Sequence, residues 1–262
     1  MSSVSDITVV PARTIRYPES DGKPMADNTR QFRWIVLIKE NLETLFADQA
    51  DVFVAGDLLW YPVEGEPETC RAPDVMVVFG RPKGDRGSYR QWEEAGIGPQ
   101  VVFEIQSPKN SFQEMLDKLE FYDTHGVEEY YVYDPDPDRN HLSGFQRQGE
   151  KLHPIPEIDG WVSPRLGIRF DLSGAELQLV RPDGTPFRSH RELEQAREQA
   201  EAARAQAEAA RAQERLAREQ AEAARAQERL AREQAEQRAA ALAARLRALG
   251  IEPDATEPDR AG

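Results

Sequence analysis

A 14-residue segment, AEAARAQERLAREQ, stands at 207–220 and returns without change at 221–234, with a half copy, AEAARAQ, at 200–206. Fourteen residues are two heptads, so each copy brings the same side chains back to nearly the same helix face; Ala, Arg, Glu and Gln are also strong helix formers. The spacing predicts one long α-helix from Arg191 to Leu249, stopped by Gly250 with Pro253 beyond. Ala196, Ala203, Ala210, Ala217, Ala224 and Ala231 recur every seven residues beside Ala200, Ala207 and Ala221, which describes a seam. Glu214 and Glu228 interrupt it, and Leu216, Leu230, Leu242, Leu246 and Leu249 supply the large apolar groups. Two readings follow: a weak Ala-rich coiled coil joining copies of the chain, or a solvated single helix held by Glu and Arg pairs at i,i+4.

This helix divides the chain. Of the 262 residues, 33 are Lys or Arg and 47 are Asp or Glu, a formal charge of −14, yet 191–249 carries 12 Arg against 11 Glu. The acidity therefore belongs to residues 1–190, with 20 basic against 32 acidic side chains. An acidic balance taken alone argues against a nucleic-acid partner. Cys70 is the only cysteine, so no internal disulfide and no cysteine-based zinc site can form. Apolar runs such as RWIVLI fall far short of the roughly 20 residues a bilayer needs, and the N-terminus lacks the basic-then-apolar plan of a signal peptide. A cytoplasmic protein without membrane contact is expected.

The front of the chain reads as an arm at 1–24 and a globular domain at 25–188. Beyond them, 189–250 is the helical segment and 251–262 a disordered tail. From Asn28 the spacing of Phe32, Ile35, Ile38, Leu42, Leu45 and Phe46 is helical. DVFVAGDLLWYP at 51–62 suits an inner strand, and PDVMVVF at 73–79 and PQVVFEIQS at 99–107 are two more. The stretch between them, at 80–98, reads as a long polar loop. Ser111 and Glu114 form a capping box for a second helix ending near His125 and Gly126, with Phe112, Met115 or Leu116, Leu119 and Tyr122 as its inner stripe. EEYYVYD at 128–134 is a further strand, and 141–148 and 165–172 add short ones. The core order of helix, three strands, helix, strand implies an α/β fold: a mixed sheet covered by helices.

Carboxylates stand where this pattern expects apolar groups: Asp57, Asp74 at the head of PDVMVVF, and Glu104 inside VVFEIQS. An ionised carboxylate in an apolar sheet costs several kcal/mol unless it is paired or bound to a cation, roughly. Two such groups on neighbouring strands repel each other, and a hard divalent ion with oxygen ligands would relieve that repulsion. Each singly could also be salt-bridged or solvated.

The run PDVMVVF, VVFEIQSP, a helix with Lys118 and Tyr122, and GVEEYYVYDP resembles the Uma-type family of "putative restriction endonucleases", formerly a domain of unknown function, in the PD-(D/E)XK nuclease superfamily. The resemblance covers about 16–182 and includes DNTRQFRWIVLIKENLETLF, VFVAGDLLWYP and WVSPRLGIRF. It implies a restriction-endonuclease-like sheet and a metal-dependent endonuclease acting on DNA. Carried over by motif, Asp74 and Glu104 would ligate Mg²⁺ or Mn²⁺, together with the backbone carbonyl of Gln106. Gln106 occupies the position of the motif lysine, so the usual cation is missing there. Lys118, four residues before Tyr122, is the expected substitute, with Lys109 a weaker one, and Glu40 or Glu43 could add a carboxylate. If Lys118 stayed away from the site, the domain would be a nuclease fold that binds without cutting; a chain acting mainly through its tail is the other alternative.

Arg81, Lys83, Arg86 and Arg90 gather near Tyr89 and Trp92 and could either be solvated or grip a nucleic-acid backbone. His125, His141, His153 and His190 show no metal-ligand spacing. Ser107 sits in no nucleophile elbow, and GRPKGDRGS lacks the order of a phosphate-binding loop.

Overall fold

The structure, a computed structural model, describes residues 15–22 and 24–250 and falls into two units divided after His190. The expectations for most of the N-terminal arm and for the tail after 250 lie outside the described residues.

In the first unit, Asn28 caps helix α1 (Thr29–Leu45) by accepting from the Gln31 amide, an arrangement worth about 1 kcal/mol. Its buried face carries Trp34, Ile35, Ile38 and Leu42. Phe32, expected inside, is 49% exposed, and Trp34 fills the core instead. The single strand expected over 51–62 is two, β1 (Val52–Gly56) and β2 (Trp60–Tyr61). They break at Asp57, whose φ of 49° is left-handed and turns the chain off the sheet. After β3 (Val75–Phe79), the stretch expected as loop holds β4 (Tyr89–Arg90), paired in parallel with β2, and a 3-10 turn at Gln91–Glu94. Tyr89 explains this order: its ring is fully buried and its hydroxyl donates to the Ile97 carbonyl.

β5 (Val101–Ile105) leads through α2 (Phe112–Thr124) to β6 (Glu129–Asp134). β5 and β6 pair in parallel, which requires such a crossover. β7 (His141–Gln148) and β8 (Lys151–Pro154) follow as antiparallel neighbours, and β9 (Arg169–Asp171) pairs with β10 (Gln178–Val180) apart from the main sheet. The six-stranded sheet runs β1-β3-β5-β6-β7-β8, and only β5–β6 is parallel. The order α1, three sheet strands, α2, strand is thus present, with the β2–β4 pair inserted.

Strand alternation builds two cores. Val52, Val54, Val75, Val77, Phe103 and Ile105 meet α1 on one face, while Phe53, Met76, Val78, Val102, Tyr130 and Val132 meet Tyr122 on the other. Both faces being covered explains why these strands read as continuous apolar runs. The capping box at Ser111 and Glu114 is formed as the sequence implies. Phe112 and Leu116 nevertheless face outward, so α2 packs through Met115, Leu119, Phe121 and Tyr122.

The second unit is α3 (His190–Ala248), 59 residues without a buried side chain. Exposed i,i+4 pairs run along it: Arg197 with Glu201, Glu214 with Arg218, Arg215 with Glu219 and Arg232 with Glu236. Among the described residues no helix is long and apolar enough to cross a membrane.

Candidate active site

The registers of β1–β3 and β3–β5 place three acids in one row. Gly56 pairs with Val75 and Val75 with Phe103, so the next pairs along are Asp57 with Asp74 and Asp74 with Glu104. The Asp57 amide is shared between the Pro73 and Asp74 carbonyls, at 3.1 and 3.3 Å, just past the last β1–β3 pair. Asp74 and Glu104 are 7% and 3% exposed. Asp74 Oδ2 accepts from the Ile105 amide at 2.6 Å.

Helix α2 supplies the groups that meet Glu104. Its capping box fixes where the helix starts, and Lys118 and Tyr122, one turn apart, face the sheet together. Lys118 Nζ lies 2.6 Å from Glu104 Oε2, and Tyr122 donates its hydroxyl to Glu104 Oε1 at 2.5 Å. The Gly126 φ of 85° then turns the chain into β6, a conformation only glycine adopts at no steric cost.

The electrostatics follow from burial and crowding. Burial, then the neighbouring Glu104 charge, pushes the Asp74 carboxyl well above the usual carboxylate range. Burial alone would pull the Lys118 amine down, but the charges of Glu104 and Asp74 outweigh it and hold the ammonium above its ordinary value. Burial, followed by the Glu104 charge, likewise raises the Tyr122 phenol, so it stays a donor. Asp57 is raised by burial, then by Asp21 and Glu104. A cation and a tyrosine thus hold one of two neighbouring buried acids.

Gln106 shares the space beside Glu104, but its carboxamide donates to Met115 Sδ at 3.0 Å and brings no charge. Lys109 does not stand in for Lys118: its amine pairs with Asp27 at 2.9 Å, and Asp27 also accepts from Ser107. Glu40 and Glu43 both pair with Lys39. Among the described residues no group of three or more His, Cys, Asp or Glu side chains could hold a metal ion by itself. Two carboxylates still fit Mg²⁺, which keeps several waters and is often held by one or two carboxylates plus phosphate oxygens.

The four loop cations are engaged within the fold. Arg81 and Arg86 both bond Glu94 at 2.7 Å, Arg86 also lies 3.9 Å above the Phe53 ring, Lys83 donates to the Phe46 carbonyl, and Arg90 pairs with Glu93. Lys83 and Arg86 nonetheless line a groove of about 530 Å³ along β1, opposite Lys39. The groove reaches Gly56 and Leu58, the neighbours of Asp57. The histidines stay outside the site. His125 packs on Phe121 and Trp60, His141 bonds Ser143, His153 lies on β8, and His190 opens α3.

Sequence reasoning passed over Glu129, 2% exposed on β6, because EEYYVYD reads only as a further strand. It accepts from Ser163 Oγ, from Tyr131 at 2.9 Å and from the Arg165 amide at 2.8 Å. Nothing in its local sequence foretells partners 34 and 36 residues away.

Comparison with known proteins identifies the family of the globular unit. The model of the Uma2 family, described as "Putative restriction endonuclease", matches residues 12–181, a span that contains Asp74, Glu104, Lys118 and Tyr122. A crystal structure of a "putative nuclease belonging to DUF820" from Anabaena variabilis ATCC 29413 is similar at 16% identity and a TM-score of 0.43. That likeness covers 58% of this chain and 83% of the other. No curated protein matches the chain. With roughly two-thirds of its length matched by that model, this chain belongs to the Uma2 family of "putative restriction endonucleases".

Proposed function

We propose that the globular domain is a divalent-metal-dependent endonuclease that hydrolyses DNA phosphodiester bonds. The observation that carries the reading is the meeting of Asp74, Glu104 and Lys118, from just before β3, from β5 and from α2, in one buried cluster. Asp74 and Glu104 would hold Mg²⁺ or Mn²⁺, with the Gln106 carbonyl as the further ligand that the resemblance implies. Once bound, such an ion supplies a water of lowered pKa and neutralises charge on the scissile phosphate.

The remaining roles fall to the chain itself. Lys118 presents a positive charge to the phosphate oxygens that gain charge in the transition state. Tyr122 holds Glu104 Oε1 and so fixes which way the carboxylate faces. The groove with Lys39, Lys83 and Arg86 offers a partly positive path toward Asp57 for the nucleic-acid backbone, and the Glu94 pairs keep Arg81 and Arg86 in place beside it. The alternative of a fold that binds without cutting needs a site lacking a cation; the 2.6 Å approach of Lys118 to Glu104 counts against it.

The test is nicking of supercoiled plasmid by the full chain with Mg²⁺ or Mn²⁺, beside Asp74→Ala and Glu104→Ala. Cleavage that depends on metal and is lost in both variants supports the reading; cleavage unchanged in both sinks it. We also read α3 as a self-association element through its Ala columns. Deleting 191–262 then lowers the mass measured by light scattering and leaves the nicking rate per chain unchanged.

A further inference from the structure

The space around Glu104 shows what holds the acid pair together before any metal binds. Both Glu104 oxygens are occupied, Oε2 by the Lys118 ammonium and Oε1 by the Tyr122 hydroxyl. The cavity beside them, lined by Glu104, Gln106, Asn110, Glu114, Met115 and Lys118 among others, is about 10 Å³. That is room for roughly one water, and a divalent ion with its own waters needs more. The ammonium therefore holds the Glu104 Oε2 position that an ion bound by this carboxylate would need.

Lys118 has somewhere else to go. Glu114 lies four residues earlier on α2, lines the same cavity, and its charge acts on the Lys118 amine. Glu followed by Lys at i,i+4 is the favourable orientation of a helix-surface ion pair, and a lysine amine on a four-carbon stem moves between partners without moving the backbone.

Resting on the metal reading of this site, we propose that Lys118 is the resident counter-cation of the Asp74–Glu104 pair. A divalent ion binds by displacing its ammonium from Glu104 toward Glu114. Lys118 thus sets the affinity of the site, keeping it low until a phosphate arrives to share the ammonium. Glu114 is a positioning residue in this scheme, in addition to completing the helix cap.

The experiment is Mn²⁺ binding to the metal-free full chain, measured by titration calorimetry without DNA. Lys118→Met removes the competing charge and keeps the stem, so Mn²⁺ should bind about tenfold more tightly than to the wild type, a modest share of what one nearby unit charge can exert. Glu114→Gln keeps the capping-box hydrogen bond, since Gln serves at that position, but withdraws the second anchor. It should weaken Mn²⁺ binding about threefold, consistent with a partly exposed pair. Circular dichroism checks each fold, and Lys118→Gln replaces Lys118→Met if the latter does not fold. Affinity equal to or below the wild type in both Lys118 variants overturns the displacement, and an unchanged Glu114→Gln overturns the second anchor. If neither the wild type nor the Lys118 variants bind Mn²⁺, the metal reading itself fails, an outcome distinct from a site that binds metal without regard to Lys118.

Discussion

Glu104 and Glu129 lie on the two strands of the six-stranded sheet that pair in parallel, are about equally buried, and differ in almost everything else. Glu129 faces the α1 side with Tyr131 and receives two hydroxyls and a backbone amide; its neighbour Arg165 spends its guanidinium on Glu128. Glu104 faces the α2 side, with a second buried acid opposite and a lysine as its cation. Neutral donors that complete a carboxylate's bonding tie loops to a sheet. Acids set against each other with a movable cation store unfavourable charge that a ligand can relieve. The contrast separates a fastening from the proposed site.

The largest expected difference is in activity. Asp74→Ala and Glu104→Ala should each lower the plasmid-nicking rate by two to three orders of magnitude, roughly the scale for loss of a group that stabilises transition-state charge. Glu129→Gln should leave the rate per folded molecule close to wild type. Equal losses in all three would erase the distinction.

Stability should rank the other way. Glu129→Ala strands the Ser163 and Tyr131 hydroxyls and the Arg165 amide, and should cost about 3 kcal/mol in urea denaturation. Glu104→Gln relieves like charge but strips the Lys118 ammonium of its ion pair, and should cost about 2 kcal/mol, less than Glu129→Ala.

Glu129 also gives a pH signature. Burial, against the pull of Ser163 and the Arg165 amide, raises its carboxyl above the ordinary value of 4.5. The unfolded chain therefore loses this proton first as pH rises, and the native state loses relative stability from about pH 4.5 until its own carboxyl ionises. Urea midpoints from pH 4 to 8 should show that decline weakened in Glu129→Gln. The smallest effect is expected at Tyr122→Phe, which removes one bond to Glu104 and should cost about 1 kcal/mol by thermal melting.

Much of this was legible in the chain. The caps at Asn28 and Ser111, the strands starting near Val75 and Val101, and α3 follow from local pattern, because capping and periodicity act over a few residues. Asp74, Glu104 and Lys118 were nameable from motif order, but their 2.6 Å contacts depend on strand register and helix rotation. Where packing overrides propensity the reading slipped: Phe32 turned out, Trp34 turned in, and Asp57 split one strand into two. The loop cations illustrate the same limit, since nothing at Arg81 or Arg86 announces that both will converge on Glu94.

The duplicated unit of α3 has a geometric consequence. Four full turns take about 14.4 residues, so each 14-residue copy falls about 40° short of closing. The alanine rows therefore wind slowly around the rod, and over the 35 residues from Ala196 to Ala231 they turn through about 100°, at roughly 20° per heptad. A rigid straight companion would touch that stripe for only part of its length. One that coils with a left-handed twist could follow it from end to end, and adding or losing a whole unit would change the reach by about 21 Å without breaking the track.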